Sequence, residues 1–386
     1  MMKRIIVWML IGLLMASCQS NIKTDGLITI DLNLDYPEKE LILQDFMEVQ
    51  YVPLESSDEF ITTNIKTIGE KLIVMVNSST LKLFDKQTGK GISVIDHKGQ
   101  GAEEYTFPYD VEIDEANNEL FVSDTNTQRM LVYDLQGNFK RSFNYGEDHH
   151  YDDITLFDKD YLVCLDDAIM YDVASMIMEN KEIDTTRIYH YMLSKQDGSI
   201  VQEIPIPFEK IRVPMVIEGD VVAMDALRTV IPIEDDVLIV QNSSDTIYRF
   251  SAKDHQKEPF LVKIPKEEPE RLLAIGAITP RFIFMETMDR IFDAQTGRGF
   301  PRNKLVYDRE MNEFFKVEVL NDDYTRPEQV DLMRGIINGK ETCIKALQAH
   351  KLIEAYEKGE LKGKLKEIAS TLNEDSNPVL MILTAK

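Results

Sequence analysis

The stretch "NNELFVSDTNTQRMLVYDLQGNFKRSF", Asn117 to Phe143, decides the fold. It divides into the short runs "LFVSD" (120–124), "RMLVYD" (129–134) and "NFKRSF" (138–143), with "DVEID" (110–114) ahead of them. Asn117-Asn118 and Gln136-Gly137-Asn138 supply the turns between runs, because Asn and Gly adopt positive φ at low cost. Four short antiparallel strands in succession make one blade of a β-propeller. The question is then whether the unit repeats.

It does. "FDKQTGKGI" (84–92) and "FDAQTGRGF" (292–300) agree at six of nine positions, and weaker versions of the same turn start at Tyr133, Leu193 and Phe250. The residues that would end the third strand are Asp85, Asp134, Ser194, Ser251 and Asp293, at intervals of 49, 60, 57 and 42 residues. The strands before them recur in step as "KLIVMV" (71–76), "ELFVSD" (119–124), "YLVCLD" (161–166), "VLIVQN" (237–242) and "RFIFME" (281–286). Five copies at this period, each of four strands, predict a propeller and not a helical solenoid.

A propeller must close on itself or leave raw strand edges. Closure is expected from a sixth blade built jointly by "DLMRGII" (331–337), "TCIKAL" (342–347), the final apolar run "VLMILTA" (379–385) and strands from residues 27–52. Between them, residues 346–373 read as helical, with Leu365, Ile368, Ala369 and Leu372 on one face and with Gly359 and Gly363 dividing the segment in two. The expected fold is all-β, a six-bladed β-propeller over residues 27–386 with a short C-terminal helical insertion in the closing blade. The long insertions at 168–192 and 213–225 leave room for a seventh blade, and a β-sandwich is the other all-β arrangement.

The N-terminus reads as an export signal. "MMKRIIVWMLIGLLMASCQS" has a basic start at Lys3 and Arg4, an apolar run from Ile5 to Met15, and the small residues Ala16 and Ser17 before Cys18. The run is short for a membrane span. It is similar to a bacterial lipoprotein signal, which implies a leader over 1–17, lipidation of Cys18 and a polar tether over 18–26. Because the residues after Cys18 carry no acidic run, an outer-membrane lipoprotein facing the periplasm is preferred to a surface-exposed one. The other two cysteines, Cys164 and Cys343, sit among apolar residues and read as buried free thiols.

Net charge is −24, and loss of Lys3 and Arg4 with the leader takes it to −26. So acidic a surface repels phosphate backbones, which argues against nucleic acid as a partner. No cysteine-histidine spacing for a metal and no G-x-S-x-G nucleophile elbow occurs. No catalytic residue, metal or cofactor is assigned, and a monomer is expected.

Residues 107–146 resemble a blade of the NHL type, with Asp124 ending the second strand, then Asn126, Arg129 and a Tyr133-Asp134 pair before the glycine turn. Residues 51–146, with "YVPLESSDEF" and "DHKGQGAEEY", are similar to six-bladed propeller lipoproteins of Bacteroidota, in which a "GQGPGEY"-like loop joins blades one and two. Gly99-Gln100-Gly101 keeps that pattern, and Ala102 and Glu103 stand where it has Pro-Gly. The segment "LKGKLKEIASTLNEDSNPVLMI" (361–382) resembles the same family's C-terminus. The resemblance implies the fold and an envelope location. It implies no reaction.

Ligands of propellers commonly bind where inter-blade loops rim the central channel. Two such loops are aromatic and acidic, "GAEEYTFPYD" (101–110) and "YGEDHHYDD" (145–153), and Tyr109-Asp110 and Tyr151-Asp152 would occupy equivalent places. Aromatic faces stack on sugar rings and carboxylates hydrogen-bond hydroxyls. Candidate ligand-binding residues are therefore Tyr105, Phe107, Tyr109, Asp110, His149, His150, Tyr151 and Asp152. Side chains of Asp148, His149, His150 and Asp152 could ligate a metal, but no spaced ligand set accompanies them. The reading is a non-enzymatic binding or scaffold module for a glycan, peptide or protein partner in the envelope. The alternative is a propeller enzyme of lyase or lactonase type acting on sugars.

Overall fold

Short apolar runs, some alternating and some continuous, give strands here, and among the described residues they form six blade sheets and two small hairpins. The structure, a computed structural model, describes residues 27–386 except 147–148, 180–181, 183, 294, 334 and 336–342. The leader, Cys18 and the tether lie outside the described residues. Four sheets are consecutive up-and-down blades, over residues 64–95, 110–144, 151–203 and 230–264. The fifth comprises Arg271–Ile278, Phe282–Asp289, Arg302–Asp308 and Glu313–Asn321. A sixth, three-stranded sheet, in the order Cys343–Leu347, Val379–Ala385 and Met47–Pro53, closes the ring.

The packing is that of a ring. Each pair of neighbouring blades shares its own apolar cluster, including the cluster around Leu83, Val111 and Leu131 between blades one and two. Phe121, Ile154 and Cys164 belong to the next. The closing strand shows how one strand serves two interfaces, since successive side chains point to opposite faces. Val379, Met381 and Leu383 pack toward blade five, whereas Leu380 and Ile382 pack toward blade one. Cys164 and Cys343 are free and buried, as expected from their surroundings.

The N-terminal segment does more than complete blade six. Ile28–Asp31 adds a parallel fifth strand to the outer edge of blade four, and Glu38–Ile42 does the same on blade five. Only Met47–Pro53 enters the closing blade. The expectation that residues 27–52 all belong to blade six is corrected accordingly. So is that for 331–337: residues 331–333 and 335 form no strand, and the remainder lie outside the described residues. The strap is fastened by Lys39, whose Nζ sits 2.7 Å from buried Asp308 Oδ2 and over the Phe315 ring. Burial works to raise the Asp308 carboxyl, but Arg281 and Lys39 hold it well below the usual carboxylate range.

The helices fall at Ala349–Glu357 and Gly363–Ala369, inside the expected 346–373 segment, with Leu365, Ile368 and Ala369 buried against the blade-five side of the closing sheet. Gly359 takes φ +70°, which ends the first helix. The insertions do not build a seventh blade. One contains the helix Ala168–Glu179, started by the Asp166 carboxylate accepting from Ala168 N (3.0 Å). The other forms a separate hairpin, Met215–Glu218 with Val221–Met224. The two pack together around Ile169, Val173, Val213 and Met215.

The best internal repeat also needs correction. Residues 84–92 form the turn between the third and fourth strands of blade one, but Phe292–Asp293 and Arg298–Gly299 pair as a small hairpin inserted between the second and third strands of blade five. The shared sequence is turn chemistry. Asp85 accepts from Thr88 N and Oγ1, Asp293 accepts from Gln295 N and Thr296 Oγ1, and a glycine at positive φ follows each. The third strand of blade five ends at Asp308, which restores the last interval to 57 residues.

Asn377, just before the closing strand, is 3% exposed; its Oδ1 accepts from Thr62 N (2.9 Å) and its Nδ2 donates to Glu55 O and Phe60 O. Asn377→Ala leaves those backbone groups unpaired in a buried place, and urea unfolding should show a loss of roughly 3 kcal/mol. A loss under about 0.5 kcal/mol would mean that closure does not depend on this clamp.

Candidate ligand site at the mouth of the channel

In each blade the innermost strand starts on one face of the ring, here the entry face, and ends on the other. The inner strands of blades one to four, Asn64–Ile68, Asp110–Asp114, Tyr151–Leu156 and Val230–Ile233, enclose a cavity of about 1270 Å³. Alternation in "DVEID" decides what faces it. Val111 and Ile113 pack between blades one and two, and Asp110, Glu112 and Asp114 lie along the cavity wall. The last of these is committed at the exit face, where it pairs with Lys195 at 2.8 Å.

Carboxylates also tie the inner strands together. Asp110 Oδ2 accepts from Ile154 N of blade three (2.8 Å), and Asp153 Oδ2 accepts from Thr229 Oγ1 and Val230 N of blade four (both 2.8 Å). In this bonding role Asp153, not Asp152, is the counterpart of Asp110. A β-bulge between Asp152 and Thr155, with Asp153 at φ +47°, shifts the register by one residue. Such a shift carries each side chain to the other face. The expected equivalence of Tyr109-Asp110 with Tyr151-Asp152 holds in the ladder, with Asp110 opposite Ser123 and Asp152 opposite Leu165, but the bulge passes the bonding role of Asp110 to Asp153.

The expected site residues divide as a result. Tyr105 is fully buried and donates its hydroxyl to Ser79 O (2.8 Å), so it plugs the joint between blades one and two. Tyr151 is 1% exposed, with its ring among Tyr145, Tyr191 and His149. Neither presents a ring to the channel. His149 Nδ1 is 2.7 Å from Asp166 Oδ2, whereas His150 contacts Gln128 and the Tyr171 ring, so the two histidines diverge. Asp148 lies outside the described residues. Among the described residues no group of three His, Cys, Asp or Glu side chains is arranged to hold a metal ion. Phe107, Tyr109, Asp110 and Asp152 do gather at the mouth. Tyr109 is 47% exposed and Phe107 43%. Lys66 joins them, donating to Tyr109 O (2.7 Å) with its Nζ over the Phe107 ring.

Several members were not foreseen. Glu112 could have been found from the two-residue alternation of blade two. Lys66, Asp153 and Arg228 stand on strands or strand entries whose register only the fold sets. Asp167 and Tyr171 arrive with the unforeseen helix, and Tyr171 is 60% exposed beside His150.

The electrostatics of the mouth are one-sided. Burial pushes Asp152 up to about 7 and Asp167 up to about 6, and neighbouring carboxylates add to both. Burial deep in the channel, with the Asp110 charge beside it, pushes Glu112 up to about 8. The Asp152 charge, with burial, pushes the Tyr109 phenol up to about 12. A carboxyl raised in the folded state binds a proton there that it releases in the unfolded chain, so stability falls as pH climbs from its unfolded value through the folded one. Glu112→Gln should flatten the decline in melting temperature between about pH 5 and pH 8. An unchanged decline would place the titration elsewhere.

The model of a domain of unknown function, DUF4934, matches residues 27–271. A Bacteroides fragilis protein named as a "putative exported protein" is 14% identical, covers 93% of this chain and 99% of its own, and superposes with a TM-score of 0.64. A DUF4221 family member from Bacteroides vulgatus is 9% identical over 88% of this chain and 97% of its own, with a TM-score of 0.42. No curated protein matches the chain. Identities this low speak for the fold, and the family match spans more than half of the sequence. This six-bladed propeller belongs to the DUF4934 family.

Proposed function

We propose that the chain is a lipid-anchored propeller of the cell envelope that binds a glycan at the entry face without transforming it. The observation that carries this reading is the exposure of Tyr109 on the cavity wall beside Asp110 and Asp152, with exposed Phe107 joined to it through Lys66 and exposed Tyr171 beside His150. Flat rings held by a rigid frame stack on sugar faces, and adjacent carboxylates take the hydroxyls. Leaving such rings in water-facing positions buries no apolar area and so gains the fold nothing.

Envelope placement rests on the leader and on Cys18 as the lipidated residue, and the exported name of the Bacteroides fragilis relative is in keeping with it. The anchor supplies the membrane contact, periplasm-facing on the outer membrane. The acidic surface disfavours nucleic acid. Binding is preferred to catalysis because Asp110 and Asp153 are occupied with the backbone of the next blade. The alternative, a sugar lyase or lactonase, would draw on Glu112, whose proton is held into the neutral range and would suit a general acid.

The test is a screen of the soluble form starting at Gln19 against an oligosaccharide panel, followed by calorimetry on the hits. Tyr109→Ala should weaken a hit by about tenfold, near 1.4 kcal/mol, with the melting temperature unchanged. Tyr151→Phe should leave affinity intact, because that ring is inside the protein. Release of shortened or unsaturated sugar during incubation would favour the enzyme, and binding insensitive to Tyr109→Ala would move the site elsewhere.

A further inference from the structure

The entry half of the channel holds more carboxyl groups than the protein pairs with cations. Five carboxylates, Asp110, Glu112, Asp152, Asp153 and Asp167, face two cations, Lys66 and Arg228. Both cations have other commitments. The Lys66 ammonium donates to Tyr109 O, and Arg228 Nε is turned to Asp153 Oδ1 at 3.7 Å. Among the described residues no Lys, Arg or His stands within ion-pair distance of Asp110, Glu112, Asp152 or Asp167, although acids elsewhere are matched closely. Asp308 has Lys39 and Arg281, Glu119 has Lys140 and Arg141, and Glu270 has Lys210, Arg212 and Arg290. Those three acids are paired with two or three cations each, whereas these four, all partly exposed, have none within that distance.

A second observation points to a ligand at the same wall. Thr155 is 2% exposed and its hydroxyl has no hydrogen-bond partner, and Nη1 of Arg228 is likewise buried and unpaired. Both residues line the cavity. Of the buried polar atoms without a partner, these two belong to residues of the cavity wall, where a ligand hydroxyl would satisfy them. The carboxylates are spread over two blades and a helix entry and are not gathered as a metal ligand set. An extended organic cation with hydroxyls fits that spread better than a compact ion. Exposed faces of Tyr109 and Tyr171 would add attraction for an ammonium group.

We infer that the glycan bound at this mouth carries protonated amines, as oligomers of an amino sugar do. This rests on the glycan reading above and adds the ligand's charge to it. The ammonium groups neutralise Asp152 and Asp167 at the rim, the sugar faces lie on Tyr109 and Tyr171, and hydroxyls meet Thr155 and Arg228. Attraction between exposed charges is screened by salt, so affinity should fall with ionic strength.

Calorimetry on the soluble chain near neutral pH decides it, with a glucosamine trimer bearing free amines and the same trimer fully N-acetylated as probes. The free-amine trimer should bind at least about tenfold more tightly, a difference of about 1.4 kcal/mol. Raising salt from about 50 mM to about 500 mM should erase most of that difference. Asp152→Asn, and separately Asp167→Asn at the more open rim, should weaken the free-amine trimer and spare the acetylated one. Two variants guard against one that misfolds, and the melting temperature of each reports on that. Equal affinity for the two trimers would overturn the charge inference and leave the glycan reading standing. Binding of neither trimer, with a trilysine peptide bound in their place, would overturn both.

Discussion

One strand carries the ring. Val379–Ala385 is apolar on both faces because it lies between blades five and one, and it is hydrogen-bonded on both edges, to Cys343–Leu347 and to Met47–Pro53. Both edges are needed, because a propeller's blades present their faces to one another and a missing blade would expose two apolar surfaces at once. The chain meets this need by bringing its N-terminal segment across some 330 residues of sequence to the C-terminal strand. On the way the segment fastens to the outer edges of blades four and five. The strap covers two further sheet edges that could otherwise pair with another chain.

Ring closure also sets the chemistry of the channel. Inner strands of a propeller splay apart, so their backbone groups cannot all bond to each other, and Asp110 and Asp153 supply side-chain carboxylates in place of those bonds. Holding acids there brings charge into a poorly hydrated space, where like charges raise one another's affinity for protons. Glu112, bonded to the Leu156 backbone of blade three, and Asp152, which bonds the backbone of its own neighbour Asp153, inherit the consequence. The frame and the site are thus one device: the same acidic positions that join the blades surround those that remain open to a ligand.

Much of the fold was legible because a propeller repeats. Second strands such as Glu119–Asp124 and Phe282–Asp289 are buried nearly throughout and read as continuous apolar runs. Blade register was less legible. The nearly identical turns at 84–92 and 292–300 report the geometry of an Asp-led turn with a glycine, which two different topologies can both use. At the site, Phe107, Tyr109, Asp110 and Asp152 were readable as an aromatic-acidic loop pair. The bulge in Tyr151–Leu156 was not, because one extra residue leaves no mark in composition and yet makes Asp153, not Asp152, the acid that bonds the next blade. Asp167 and Tyr171 depend on a helix that no repeat predicts, and Arg228 depends on how a hairpin returns to blade four.

Hydrogen exchange on the soluble chain, alone and saturated with a glucosamine trimer, tests the account most directly. Without ligand, amides of residues 28–53 should exchange as slowly as those of 379–385, since strap and closing strand open together. With ligand, added protection should be confined to the entry face, around residues 105–112, 149–156 and 166–173. Fast exchange across 28–53 would contradict the closure, and protection centred on the exit-face turns at 69–71, 115–118 and 234–236 would contradict the site.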